Sequence, residues 1–268
     1  MDSLVPRLPT HARETIHRFL RAHVREAGAK GVVIGSSGGI DSALVLRLSK
    51  DALGPSRVWA VSIPDERTPP ALRAEVADYA RDLRVGFSEV ELAPLEIPFL
   101  PLLETDDRVA RGNLKARLRM VVWYQEARRR GALVAGTGNK SELLLGYFTK
   151  YGDGGVDLLP IGDLYKTAVW DLAAELELPK SVRERAPTAG LWEGQTDEEE
   201  LGMPYAMLDQ ILFGLERLLE PEEIARATGV PLDRVEAIVG RVRTFRHKRR
   251  PPPIPKLMLR TLGLDWRD

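Results

Sequence analysis

The sequence predicts an α/β fold in which an open parallel sheet is flanked by helices and followed by a helical C-terminal part. Three observations predict it. Short β-branched runs alternate with helical segments over the first half of the chain. The first of these runs enters a Gly- and Ser-rich turn and then a helix. Beyond the fourth strand, helical patterns joined by Gly- or Pro-marked turns dominate.

From Thr10 the apolar positions Ile16, Phe19, Leu20 and Val24 recur at helical spacing, and Gly28 is placed to end that helix. Gly31 to Gly35 is short, apolar and β-branched, hence a strand, and Ala43 to Leu53 reads as a helix stopped by Gly54-Pro55. Val58 to Ile63 is a second strand, Pro69 to Leu83 a helix opening on proline, and Gly86 to Leu92 a weaker third strand. Asn113 to Arg130 is a long basic helix, Ala132 to Gly136 a fourth strand, and Lys140 to Tyr147 the start of another helix. Strands separated by helices in this way pair in parallel. Leu164 to Leu176, Pro204 to Leu219, Pro221 to Thr228 and Leu232 to Arg246 follow as helices, and Pro251 to Pro253 is expected to run extended as a C-terminal strap. With no repeat and no polar linker, one domain is expected over 1–268, its core at about 31–190 and its helical part at about 191–268.

At 44% apolar and 29% charged residues the chain can bury a core, and no uninterrupted apolar stretch approaches the roughly 18 residues of a membrane span. Met1 to Thr10 has no apolar region of the kind a secretion signal carries, which makes a cytoplasmic location the expectation. The 39 basic side chains balance 39 acidic ones, so no overall field draws the protein to nucleic acid or to an acidic membrane, and neither is expected as a partner. Cysteine is absent, which excludes disulfides, thiolate metal sites and a cysteine nucleophile. His11, His17, His23 and His247 form no His-Glu-x-x-His pair, and the first three are expected to decorate one exposed helix.

Ser36-Ser37-Gly38-Gly39-Ile40-Asp41-Ser42 lies between the first strand and its helix, where open parallel sheets bind ligands. Glycines let backbone N–H groups approach an anion, serines donate, and the helix N-terminus adds partial positive charge. Asp41 does not suit phosphate alone, but it suits a Mg²⁺ ion that bridges protein to phosphate. A Walker A loop would need Gly-Lys where Ile40 and Asp41 stand, and a Rossmann loop fails because Ser37 stands two residues after Gly35. Gly136 to Ser141 comes nearer to a Rossmann loop but ends in serine. The competing local reading is an ordinary helix capped by Ser or Asp.

Ser37 to Ser42 resembles the SGGxDS pyrophosphate loop of the N-type ATP pyrophosphatases, which split ATP into AMP and pyrophosphate while adenylating a substrate. Gly136 to Glu142, Gly146 to Asp157 and Gly194 to Glu198 resemble NAD synthetase, and the likeness runs from about Gly31 to Lys248. Its overall length resembles the ammonia-dependent class, since the glutamine-dependent class carries an added glutaminase domain with a cysteine nucleophile. The resemblance implies the adenine nucleotide alpha hydrolase-like fold and a homodimer with substrate sites at the subunit interface. It also implies a ligase that amidates nicotinic acid adenine dinucleotide (deamido-NAD) with ammonia, the last step of NAD biosynthesis. The carboxylate attacks the α-phosphate of ATP, pyrophosphate leaves, and ammonia then displaces AMP.

The same resemblance implies that Gly35, Ser36, Ser37, Gly38, Gly39, Ile40, Asp41 and Ser42, together with Thr137, Lys166 and Thr188, bind ATP. Asp41 and Glu142 would hold Mg²⁺, with Asp41 and Lys166 catalytic and Lys166 steadying charge on the leaving pyrophosphate. Arg117, Lys150, Asp157, His247 and Lys248 correspond to contacts with deamido-NAD. Each has a plainer reading. Glu142 suits a first-turn acid favoured by the helix dipole, the threonines suit caps, and a single lysine or a basic helical face suits solvent. Thr196 with Glu199 fits a capping box, while the family reading makes that segment a lid. Ile63 to Arg67, after the second strand, has no mapped role, which leaves the adenine contacts open. Two other functions fit the first loop: another N-type ATP pyrophosphatase serving as the synthetase subunit of an amidotransferase, and a non-catalytic adenine-nucleotide-binding protein.

Overall fold

Four short strands, β1 (Val32–Gly35), β2 (Val58–Ser62), β3 (Gly86–Glu89) and β4 (Leu133–Ala135), pair in parallel in the order β3-β2-β1-β4. The computed structural model describes residues 4–103, 107–188 and 196–265. Register follows from burial. Ile34 pairs with Ala60 on one side and Ala135 on the other, and every residue of Val32-Val33-Ile34 is fully buried. Alternation then sends Val32 and Ile34 into one core and Val33 into another. The first core is closed by α1 (Ala12–Glu26) and α2 (Ile40–Leu53), with α3 (Pro70–Asp82) adding Ala80. On the opposite face, beyond the short α4 (Ala93–Glu96), lies α5 (Arg108–Arg130), which packs Ala127 and Trp123 against Val33, Val61 and Val134.

After β4 come α6 (Lys140–Leu145), α7 (Lys166–Glu175), α8 (Lys180–Arg183) and α9 (Asp197–Leu201), then α10 (Tyr205–Glu216), α11 (Pro221–Thr228) and α12 (Leu232–Thr244). Helix α7 joins the first core through Val169 and Leu172, whereas α10 to α12 bury Leu208, Ile224, Val235 and Ile238 in a core of their own, closed by Leu145 of α6. The open parallel sheet and helical C-terminal part are therefore as expected. Helix α6 is thereby placed between the sheet and the helical part.

Several boundaries differ from the sequence reading. Helix α2 begins at Ile40, not Ala43, and α5 at Arg108, not Asn113, because the Asp107 carboxylate accepts from the N–H groups of Val109 and Ala110. The last predicted helix stops at Thr244 and passes into a 3₁₀ turn over Phe245–Arg249. Helices α4, α8 and α9 and a 3₁₀ turn over Ile97–Leu102 were below the reach of periodicity, being one or two turns long. The histidine expectation is corrected. His11 precedes α1, and His17 is buried, because it borders the stripe formed by Ala12, Ile16, Leu20 and Val24. Residues 251–260 are all exposed, so the proline run does not strap this chain. Among the described residues no helix is long and apolar enough to cross a membrane.

Candidate active site

Strand β1 delivers the phosphate loop to the C-terminal edge of the sheet. Gly38 takes φ +83°, and a Cβ there would meet Leu72 Cδ1 at 2.5 Å, so this position accepts only glycine without rearrangement. Ser42 Oγ donates to Gly39 O at 2.9 Å, and Ser37 Oγ accepts from Gly39 N at 3.3 Å, which ties the loop into a closed curve. The N-cap of α2 is Gly39, and no side chain caps that helix. The ordinary Ser- or Asp-capped helix is therefore not what forms, and the helix keeps N–H groups for an anion.

Helix α6 brings the second acid to this loop. Asn139 and Glu142 form a capping box, the Asn139 side chain accepting from Glu142 N at 3.0 Å and Glu142 Oε2 from Asn139 N at 3.2 Å. Asn139 Nδ2 in turn donates to Asp41 Oδ1 at 3.0 Å. The plain reading of Glu142 is thus correct for Oε2, while Oε1 lies 3.8 Å from Lys166 Nζ. Lys166 begins α7, is 2% exposed, and its Nζ donates to Asp41 Oδ2 at 2.5 Å. Burial works against the Lys166 ammonium, but Asp41 and Glu142 outweigh it and hold its pKa above the ordinary value. Burial and then the charge of Asp41 push the Glu142 carboxyl up to about 8. Burial and Asp41 favour the neutral form of Glu142, so the charges of Asp41 and Lys166 balance, and the two hard oxygen donors side by side fit a divalent cation such as Mg²⁺. Among the described residues no third His, Cys, Asp or Glu joins them in a metal cluster, so the other positions would fall to phosphate and water.

Behind Lys166 sits a carboxylate that the sequence reading passed over. Asp209 of α10 is fully buried; its Oδ1 accepts from Ser141 Oγ at 2.5 Å, and its Oδ2 accepts from Thr167 N and Thr167 Oγ1, both at 2.9 Å. Ser141 Oγ also accepts from Lys166 N at 2.9 Å, so α6, α7 and α10 are locked together at the base of the lysine. The signal was one acid inside the apolar run Leu208, Ile211, Leu212.

Loop, acids and lysine open into a cavity of 920 Å³ that extends to Phe148, Thr149, Asp153 and Phe245. Ile63, Pro64, Asp65 and Arg67, the segment without a mapped role, form part of its wall. Lys115 of α5 anchors them from behind, its Nζ 2.8 Å from Asp65 Oδ2, and Arg119 Nε donates to Ile63 O at 3.2 Å. Such a cleft beside a parallel-sheet edge is a nucleotide-sized site.

A family model for NAD synthase matches residues 12–252. The chain belongs to the NAD synthase family. It is 45% identical over 251 residues to an NH₃-dependent NAD⁺ synthetase from Methanosarcina mazei, across 92% of this chain and 98% of that relative. In structure it is similar to an NMN synthetase from Francisella tularensis, with a TM-score of 0.81, 31% identity, and 93% of this chain and 99% of that one covered. It is also similar to an NH₃-dependent NAD synthetase from Campylobacter jejuni, with a TM-score of 0.78, 31% identity, and 91% and 97% covered.

In this chain the residues singled out for ATP gather as a group. Gly35, Ser36, Ser37, Gly39, Ile40, Asp41, Ser42, Thr137, Lys166 and Thr188 line the cavity, whereas Gly38 is buried and does not. The residues singled out for deamido-NAD divide. Lys248 lines the cavity, donating to Gly146 O at 2.7 Å and Phe148 O at 2.8 Å. Arg117, Lys150, Asp157 and His247 do not line it. Arg117 is exposed on α5, His247 is exposed in the last 3₁₀ turn, Lys150 lies over the Tyr151 ring, and Asp157 accepts from Tyr124 OH at 2.9 Å. Thr196 Oγ1 accepts from Glu199 N at 3.4 Å, while Gly194 and Gln195 fall outside the described residues.

Proposed function

We propose that this chain is an ammonia-dependent NAD synthetase, a ligase that forms a C–N bond by amidating deamido-NAD at the expense of ATP. The observation that carries the reading is the meeting of Asp41, Glu142 and Lys166 on an uncapped glycine–serine phosphate loop, in a chain of this family. A carboxylate resists amines, because its charge repels nucleophiles and oxide is a poor leaving group. Adenylation removes both obstacles. The nicotinate carboxylate attacks the α-phosphorus, pyrophosphate leaves, and neutral ammonia adds to the acyl carbon and expels AMP with loss of one proton.

Gly35 to Ser42, Thr137 and Thr188 hold the nucleotide, the loop N–H groups and hydroxyls taking phosphate oxygens. Lys166, buried, held charged by Asp41 and lining the cavity beside the loop, would stabilise the charge that grows on the departing pyrophosphate. Mg²⁺ on Asp41 and Glu142 would supply the charge that draws phosphate oxygens together. Positioning on this rigid edge carries most of the rate.

The reading includes a homodimer. Arg117, Val121 and Tyr124 fall at i, i+4 and i+7 on one face of α5, all exposed, and Tyr124 bonds to Asp157. This stripe supports an interface in which a second copy brings Arg117, Lys150, Asp157 and His247 to the dinucleotide of its partner. An obligate interface of that kind buries about 2,000 Å² or more. The chain would act as one domain in the cytoplasm, where ATP is supplied.

The test is to mix the purified chain with ATP, Mg²⁺, ammonium and either deamido-NAD or its mononucleotide counterpart. NAD, AMP and pyrophosphate in equal amounts are expected from the dinucleotide. Preference for the mononucleotide would move the chain toward the activity named for its Francisella relative, and release of ADP would refute the mechanism.

A further inference from the structure

Arg185, in the segment after α8, reaches the phosphate loop across 147 residues of sequence. Its Nη1 donates to Gly38 O, and its Nη2 donates to Glu75 Oε2 of α3 at 2.5 Å. Glu75 Oε1 also accepts from Ser181 Oγ at 2.7 Å. Arg185 lines the cavity and Glu75 does not.

Charge accounting at this end of the cavity isolates the arginine. The loop contains no lysine, and Lys166 is already shared by two carboxylates. A triphosphate brings several negative charges to that point. Among the described residues Arg185 pairs with one carboxylate, and both side chains of that pair are 29% exposed, so water reaches the pair and Glu75 can be exchanged. A guanidinium offers a fork of donors suited to phosphate oxygens, which an ammonium cannot match. Its bond to Gly38 O also masks a carbonyl that would otherwise repel an anion in the loop.

We propose that Arg185 is the cation that grips the pyrophosphate portion of ATP, exchanging Glu75 for phosphate oxygens when the nucleotide enters. This rests on the reading of the cavity as the ATP site. Glu75 is then a competitor that parks the guanidinium beside the loop in the empty protein. The two members of one ion pair therefore affect binding with opposite sign.

Calorimetric titration of the full chain with ATP, inorganic pyrophosphate and AMP, all in Mg²⁺, tests the assignment. Arg185→Met is expected to weaken pyrophosphate and ATP about tenfold or more while AMP stays within about twofold, which also reports an intact fold. Arg185→Lys recovers part of the loss. Glu75→Gln leaves pyrophosphate binding unchanged or several-fold tighter. Unaltered pyrophosphate binding in Arg185→Met overturns the proposal. So does an equal loss for AMP, or a loss in Glu75→Gln matching that of Arg185→Met, since either makes the pair a strut. A wild-type chain that binds neither ATP nor pyrophosphate sinks the ATP reading itself, and Arg185 with it; firm wild-type binding that Arg185→Met leaves intact sinks the arginine alone.

Discussion

Lys166 Nζ and Asp41 Oδ2 lie 2.5 Å apart although 125 residues separate them in sequence. Asp41 stands in the first turn of α2, Lys166 opens α7, and both helices bury their apolar faces in the same core. The packing of Leu44 and Leu48 with Val169 and Leu172 therefore sets the distance between an acid and a lysine at the sheet edge. Asn139 adds a third support by donating to the other oxygen of Asp41.

Asp41→Asn should keep the fold and lose Mg²⁺-dependent pyrophosphate release. The amide preserves shape, and Glu142 remains near Lys166, but a neutral side chain is a poor ligand for a hard cation. A fall of about 100-fold or more in kcat is expected, in line with loss of one electrostatic contact at a reacting centre. Release of pyrophosphate and thermal unfolding, followed together, check it, and unchanged turnover removes Asp41 from the metal site.

Lys115→Met should expose the cost of the buried charges behind Ile63 to Arg67. Lys115 is 1% exposed and faces Asp65 at 2.8 Å and Glu96 at 3.7 Å, both nearly as buried. Removing it leaves Asp65 to Arg67 and Glu96 to Arg111, both more exposed partners, and takes a charged hydrogen bond from a buried acid, a loss of about 2–3 kcal/mol. The pH sign follows from Asp65. Burial alone would raise its pKa, but bonds from Lys115 and Arg67 outweigh that and hold it well below the usual carboxylate range. Its stabilisation is present above the unfolded value of about 3.9 and is lost as pH falls through the depressed folded value. Denaturant unfolding at a series of pH values should show a wide gap between wild type and variant near neutrality that narrows below about pH 4; a constant gap contradicts the account.

Val121→Arg places a charge in the exposed stripe of α5 between Arg117 and Tyr124. If that stripe is the interface, sedimentation velocity will show monomers, and kcat/KM for deamido-NAD will fall with them. Burying an unpaired charge from each copy at the centre of the interface costs several kcal/mol per copy. A dimer that survives the substitution places the interface elsewhere.

Most of the sheet was legible because strands buried on both faces are written as β-branched runs, as in Val32-Val33-Ile34, and because glycine is needed where Gly38 turns. The phosphate loop and Lys166 were legible through their motifs. Asp209 was not, since its meaning lies in Ser141 and Thr167, which come to it from two other helices. Nor was the role of Ile63 to Arg67, whose anchor Lys115 is fifty residues downstream on a helix that reads as basic and solvated. Arg117 and Asp157 illustrate another limit: a motif names each residue, yet neither lines the cavity of this chain.

Rates at fixed total ammonium should rise with pH in proportion to the neutral fraction, up to the ammonium pKa, because the attacking species is NH₃ and burial disfavours the charged form. Initial rates at subsaturating ammonium across that range check it. A flat profile means that ammonium itself is bound and deprotonated by the protein.

The adenylate is tested most directly by the fate of one oxygen. Deamido-NAD carrying ¹⁸O in its nicotinate carboxylate, turned over with ATP, Mg²⁺ and ammonia, should yield AMP bearing one ¹⁸O and unlabelled pyrophosphate, because the oxygen that attacks phosphorus leaves with it. Unlabelled AMP, or label recovered in inorganic phosphate, would contradict the account.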